Sequence, residues 1–166
     1  MSTPYRTTPT QTLSVLVQDR PGVLQRVAGL FSRRGYNMDS LSVGACEEEG
    51  LTRMTIVLSC ETAAVTQVAQ QLRKLMDVLD VRHLSRQPMV VRELLLIKLQ
   101  APPESRPELL SLVETFRCSV IDVGQASIVI QVVGDVDKNN ALLRLLEPYE
   151  LLELTRTGAT AMSRGT

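Results

Sequence analysis

Residues 17–24 read Val17-Gln18-Asp19-Arg20-Pro21-Gly22-Val23-Leu24, and this stretch decides the fold. Upstream, Leu13, Val15 and Val17 alternate with polar residues, the period of a half-buried strand. Downstream, Val23, Leu24, Val27, Leu30 and Phe31 recur at helical spacing, so the helix is expected to bury that face. Between them stands a polar Pro-Gly turn. Proline is favoured in a first helical turn because its φ is preset, and Gly22 lets a ligand approach the backbone closely. The first N–H groups of a helix have no internal acceptor and carry partial positive charge. A strand running into such a turn frames a small anion site. The same local pattern also serves as a plain strand-to-helix connection.

Outward from the turn, Gly35 follows Arg33 and Arg34, a cationic last turn and a left-handed stop. A strand is expected from Met38 to Ala45 with Leu41 and Val43 on one face. The polar Glu47-Glu48-Glu49-Gly50 turn leads to another strand carrying Met54, Ile56 and Leu58. A helix from about Thr62 to Leu75 and a strand from Val78 to Leu84 complete the order β-α-β-β-α-β, the ferredoxin-like arrangement. Residues 85–89 look like a linker, and then the order repeats. Val90 to Leu99 is a strand. Pro107 opens a helix carrying Leu109, Leu110, Val113 and Phe116. Cys118 to Val123 and Ser127 to Val133 are strands. Asp135 or Asp137 caps a helix carrying Ala141, Leu142, Leu145 and Leu146, and Leu151 to Thr155 ends the copy. The fold class is α+β, with two ferredoxin-like βαββαβ domains in tandem. Their bounds are 12–84 and 90–166, after a flexible tail over 1–11. Residues 158–165 have no assignable pattern. Copies this small gain from association, so a homodimer is expected.

Composition narrows the function. The chain has 166 residues, 44% hydrophobic, with a formal net charge of zero and 3% aromatics. That balance argues against nucleic acid, which asks for a basic surface and stacking platforms. Apolar runs are strand-sized, so no membrane span is expected. Cys46, Cys60 and Cys118 are odd in number and widely spaced. They suggest neither a disulfide framework nor a metal site, and fit a reducing cytoplasm. Catalytic constellations are missing: there is one histidine, His83, on an expected strand, and no GxSxG, HExxH or phosphate loop. Arg53 and Arg92 are candidate anion binders or paired surface charges. At the opening turn, the amides near Gly22 and Val23 are candidates for a carboxylate. Asp19 or the side-chain carbonyl of Asn37 is a candidate for an ammonium, with Pro21 and Leu24 beside them. Together these would hold a small amino acid.

The run from Leu13 through Asp19-Arg20-Pro21-Gly22-Val23-Leu24 resembles the opening of an ACT domain, an amino-acid-sensing module. The block from Arg26 through Arg33-Arg34-Gly35-Tyr36-Asn37-Met38-Asp39-Ser40-Leu41 is similar to the small regulatory subunits of acetohydroxyacid synthase (acetolactate synthase). So are Leu51 to Val57, Gln71 to Leu75, Arg92 to Lys98 and Met162 to Gly165. The resemblance implies a first domain that binds valine, or leucine or isoleucine, at a dimer interface. Gly22 matches its binding-loop glycine, and Asn37 the asparagine that reaches the ligand from the partner chain. Asp19 stands where some members carry asparagine.

The resemblance also implies no active site and no cofactor on this chain. The partner would be a catalytic large subunit holding thiamine diphosphate, a magnesium ion and FAD, which this chain activates and subjects to feedback inhibition in branched-chain amino acid biosynthesis. The alternative reading is a stand-alone tandem ACT sensor with another target. An enzyme on a ferredoxin-like scaffold lacks a catalytic set.

Overall fold

The computed structural model describes residues 8–165. By its contacts the chain forms two compact units. One takes the residues up to Val90 together with those from Thr160 onward; the other is Val91–Ala159.

In the first unit, β1 (Thr10–Gln18), α1 (Val23–Arg33), β2 (Met38–Ala45), β3 (Leu51–Ser59), α2 (Thr62–Leu72) and β4 (Val78–His83) follow in that order. The sheet order is β2-β3-β1-β4, all antiparallel. This is the expected βαββαβ topology. Alternation on β1 places Leu13, Val15 and Val17 in the core with Met54, Ile56 and Leu58 from β3. Helix α1 covers them with Val23, Val27 and Phe31. Each such side chain contributes about 1.5–3 kcal/mol by leaving water.

Helix α1 ends as its sequence requires. Gly35 adopts φ +71°, its N–H donates to Ser32 O, and the Tyr36 N–H donates to Phe31 O. That pair of bonds is a Schellman stop.

Several expectations are corrected. Strand β1 begins at Thr10, so the tail is shorter than 1–11: Gln11 is buried, and the Cys60 N–H donates to Pro9 O. The rest of the tail, residues 1–7, lies outside the described residues. Helix α2 stops at Leu72, because the Lys74 and Leu75 amides turn back to Gln71 O and Leu72 O. Residues 85–89 are not a free linker. Leu84–Arg86 form a 3-10 turn with Leu84 buried, and the Ser85 hydroxyl accepts the Thr12 N–H at 2.8 Å. Strand β5 already starts at Met89.

The second unit repeats the plan with β5 (Met89–Gln100), α3 (Arg106–Thr115), β6 (Ser119–Val123), β7 (Ser127–Gly134), α4 (Val136–Leu145) and β8 (Leu151–Arg156). Its sheet order is β6-β7-β5-β8. Asp135 is the cap of α4, accepting the Lys138 N–H at 2.8 Å.

Three leucines expected in the core stand exposed: Leu24, Leu110 and Leu145. Each lies at the margin of its helix's apolar stripe. On α4, Asn139 takes a core position in their place, fully buried, and its amide donates to Glu93 O and Oε2. Val43 is exposed too, on the edge strand β2.

The unassigned residues 158–165 contain a ninth strand, β9 (Thr160–Ser163), which pairs with β5. By its contacts it groups with the first unit. The Ala161 N–H donates to the Thr55 hydroxyl, and Thr160 and Ser42 share a hydroxyl–hydroxyl bond of 3.0 Å. This strand shields polar residues on the sheet face opposite the helices, which accounts for Thr12, Ser14 and Thr55 being buried.

Candidate functional site

The turn after β1 is built by Pro21 and Gly22. The Val23 N–H donates to Arg20 O at 3.3 Å, and Gly22 has φ +86° and ψ −8°. Those are the values of the third residue of a type II turn, where proline commonly precedes glycine. Pro21 therefore stands one residue before the cap instead of inside the first helical turn, and Gly22 is the N-cap. With no side chain at Gly22, nothing caps α1. The turn is clamped at both flanks: Gln18 N–H donates to Asp77 O and Asp19 N–H to Gly50 O, both at 2.9 Å.

This geometry changes which donors face a ligand. The Val23 amide is spent on the turn. The Arg26 amide donates to Gly22 O, so Leu24 and Gln25 hold the unpaired donors of the first turn.

A guanidinium joins them. Arg26 holds Asp77 Oδ2 through Nε at 2.8 Å and through a terminal nitrogen at 2.6 Å. Its other terminal nitrogen lies 3.0 Å from where a Cβ on Gly22 would sit. The turn thus combines an uncapped helix end with a fixed cation, both suited to a carboxylate. Arg26 was not singled out from sequence. The available signal was its spacing, four residues after Gly22 on one helix face.

The other expected site residues divide into two groups. Asp19, Pro21 and Leu24 are exposed around the turn, and Val23 is buried beneath it. Asn37 is exposed, but it is not brought to Gly22. Gln18 pairs with Leu51 at one end of β1 and β3, whereas Gln11 and Met38 both pair with Leu58 at the other. Seven residues of strand separate those ends by about 24 Å. One small ligand cannot touch Gly22 and Asn37 of the same chain.

The candidates for other chemistry do not assemble. His83 Nε2 lies 2.7 Å from Gln11 Oε1, and burial followed by the Arg86 charge lowers its pKa. Burial pushes the thiols of Cys60 and Cys118 up, away from the reactive thiolate. Arg53 pairs with Glu47 at 2.8 Å, while Arg92 donates to its neighbour's carbonyl, Val91 O. Among the described residues no group of three or more His, Cys, Asp or Glu could hold a metal ion. None of their helices is long and apolar enough to cross a membrane.

A βαββαβ unit with this turn is the architecture of an ACT-domain protein, and residues 13–80 match the family model described as the AHAS small subunit-like ACT domain. Residues 92–165 match the model described as the small subunit of acetolactate synthase. The chain belongs to the acetolactate synthase small-subunit family. It is 47% identical over 158 residues to the acetolactate synthase small subunit of Mycolicibacterium smegmatis, covering 95% of this chain and 93% of that one. It is 45% identical over 155 residues to that of Bacillus subtilis, covering 93% and 90%. The crystal structure of the acetolactate synthase small subunit from Thermotoga maritima superposes with a TM-score of 0.87 at 36% identity, covering 95% of this chain and 99% of that one.

Proposed function

We propose that this chain is the regulatory subunit of acetolactate synthase: it activates the catalytic large subunit and makes it sensitive to feedback inhibition by valine. The observation that carries the ligand site is the uncapped α1 N-terminus at Gly22 with the Arg26 guanidinium beside it. The free amides and Arg26 receive the α-carboxylate of valine, with Asp19 on the same turn for the α-ammonium. Leucine and isoleucine share the recognised groups and are the competing ligands.

The site is completed by a second copy. Helix α1 has Gly22 at its start and Asn37 four residues past its end. Two α1 helices running antiparallel about a twofold axis place Gly22 of one protomer beside Asn37 of the other. The edge position of β2 and the exposure of Val43 suit such a contact. A homodimer then carries two equivalent sites.

Regulation follows as linkage. Valine favours one arrangement of the paired ACT domains, and that arrangement alters the contact with the catalytic subunit. Thiamine diphosphate, magnesium and FAD belong to the catalytic chain in this division of labour, and the setting is cytoplasmic. Reciprocity requires the catalytic subunit to shift valine affinity by the factor by which valine shifts subunit affinity. Calorimetric titration of valine into the chain, alone and in complex, tests this. Identical affinities in the two titrations would remove the equilibrium mechanism.

A further inference from the structure

The sheet face of the first unit that carries no helix holds a second polar feature, on the face away from helix α1. Strand pairing sets Thr55 of β3 and Arg82 of β4 on either side of Ser14 in β1. Arg53 stands two residues before Thr55 and so shares its face. Both guanidiniums line a surface cavity of about 200 Å³ with Ser14, Glu47 and the β9 residues Ala161 and Met162. Ser14 is 4% exposed, and its hydroxyl makes no hydrogen bond among the described residues.

Two cations on one small face repel each other unless something sits between them. Among the described residues each has a single carboxylate partner, held through one nitrogen: an Arg53 terminal nitrogen to Glu47 at 2.8 Å and Arg82 Nε to Asp80 at 2.7 Å. Those carboxylates are 69% and 43% exposed, so neither is locked in place, and each guanidinium keeps further N–H donors. The Glu47 carboxyl is held below the usual range by a backbone hydrogen bond, then by Arg53, with a smaller contribution from Arg82. A carboxylate at this spot therefore feels both arginines. Two positive and two negative side chains sum to zero, and swinging Glu47 out leaves one positive charge. A monoanion matches that balance; a dianion such as a phosphate ester does not. Leu84, Ala161 and Met162 supply apolar wall. At about 30 Å³ per water-sized group, the volume holds roughly six or seven such groups.

We propose that this cavity is a second effector site, for a small aliphatic monocarboxylate: Arg53, Arg82 and Ser14 hold the carboxylate in place of Glu47, and Leu84, Ala161 and Met162 cover the aliphatic body. The roof of this site is β9, the segment by which the chain returns to the first unit. A ligand there braces that segment against the ACT sheet. The site does not depend on the valine site at Gly22.

Isobutyrate is the probe, titrated into the full-length chain and followed by amide NMR shifts, with inorganic phosphate as the comparison arm. The expected result is a saturable shift at Ser14, Ala161 and Met162 that survives in Gly22→Asp. Arg53→Gln and Arg82→Gln should each weaken it about tenfold, the scale of one lost charge-assisted hydrogen bond. Glu47→Gln should strengthen it, because it removes the competing carboxylate. Arg82 and Glu47 are exposed and Arg53 is part-exposed, and a thermal melt of each variant separates lost binding from lost fold. Three results would overturn the proposal: no shift at these amides in the tens-of-millimolar range, a response lost in Gly22→Asp, or phosphate binding as tightly as isobutyrate.

Discussion

Replacing Gly22 with aspartate puts a side chain and a negative charge where the ligand's carboxylate is expected. Gly22 has φ +86°, and a Cβ there meets only the far end of the Arg26 side chain, at 3.0 Å. The left-handed backbone costs an L-residue about 1–2 kcal/mol, with aspartate among the more tolerant. Two effects oppose that cost. A carboxylate at a helix N-terminus gains about 0.3–1 kcal/mol, and a pair with half-exposed Arg26 gains about 0.2–1 kcal/mol. The net change in folding stability is therefore within about 1 kcal/mol, or at most about 4–8 °C in Tm for a domain of this size.

Ligand binding has no such compensation. The introduced carboxylate takes the free amides and Arg26 for itself. Losing two charge-assisted hydrogen bonds of about 1.5 kcal/mol each weakens valine roughly 100-fold. The assay pairs a thermal melt of the variant with a valine inhibition curve of the reconstituted enzyme. Expected are a nearly unchanged melt, full activation and lost valine sensitivity. Gly22→Ala separates charge from strain: it should cost about 1 kcal/mol of stability yet keep measurable inhibition. A Gly22→Asp complex inhibited at the wild-type valine concentration would refute the site.

Asn37→Ala should weaken valine binding while leaving the melt unchanged. A mixed dimer of Gly22→Asp and Asn37→Ala chains should regain one intact site, and fail to do so if both residues act within one chain. His83 makes unit stability pH-dependent. Its folded pKa is lowered by burial and then by Arg86, so its contribution is present above the unfolded value of about 6.5 and lost as pH falls through the lower folded value. Urea melts between pH 7.5 and pH 5 should show the decline, and His83→Gln should flatten it. In the second unit, Glu93 is 5% exposed and held by Arg156 at 3.0 and 2.7 Å. Arg156→Ala leaves that carboxylate with the Asn139 amide alone and should cost about 1.5–3 kcal/mol, the scale of a hydrogen bond to a charged group, read as an early loss of the second unit in denaturant melts.

The two-copy plan was legible because each element carries its own local signal. Alternation marks β1 and β3, Gly35 stops α1, and Asp135 caps α4. Features that rest on distant partners were not. Arg26 looks like any surface arginine until Asp77, 51 residues on, fixes it beside Gly22. Thr160–Ser163 is four residues without a period, and only its pairing with β5 makes it a strand. Pro21-Gly22 fits a first helical turn or a type II turn equally well in sequence, and the difference decides which amides are free. Helical spacing also overstated the buried stripes. It counted Leu24, Leu110 and Leu145, while polar Asn139 enters the core from α4 beside the expected Leu142.

The claim that this chain regulates acetolactate synthase through valine is tested most directly by one assay. The catalytic subunit is measured with and without this chain across a valine titration. The account predicts higher activity on adding the chain and a saturable valine inhibition that appears only in its presence. Unchanged activity, or a valine response that is the same with and without the chain, would contradict it.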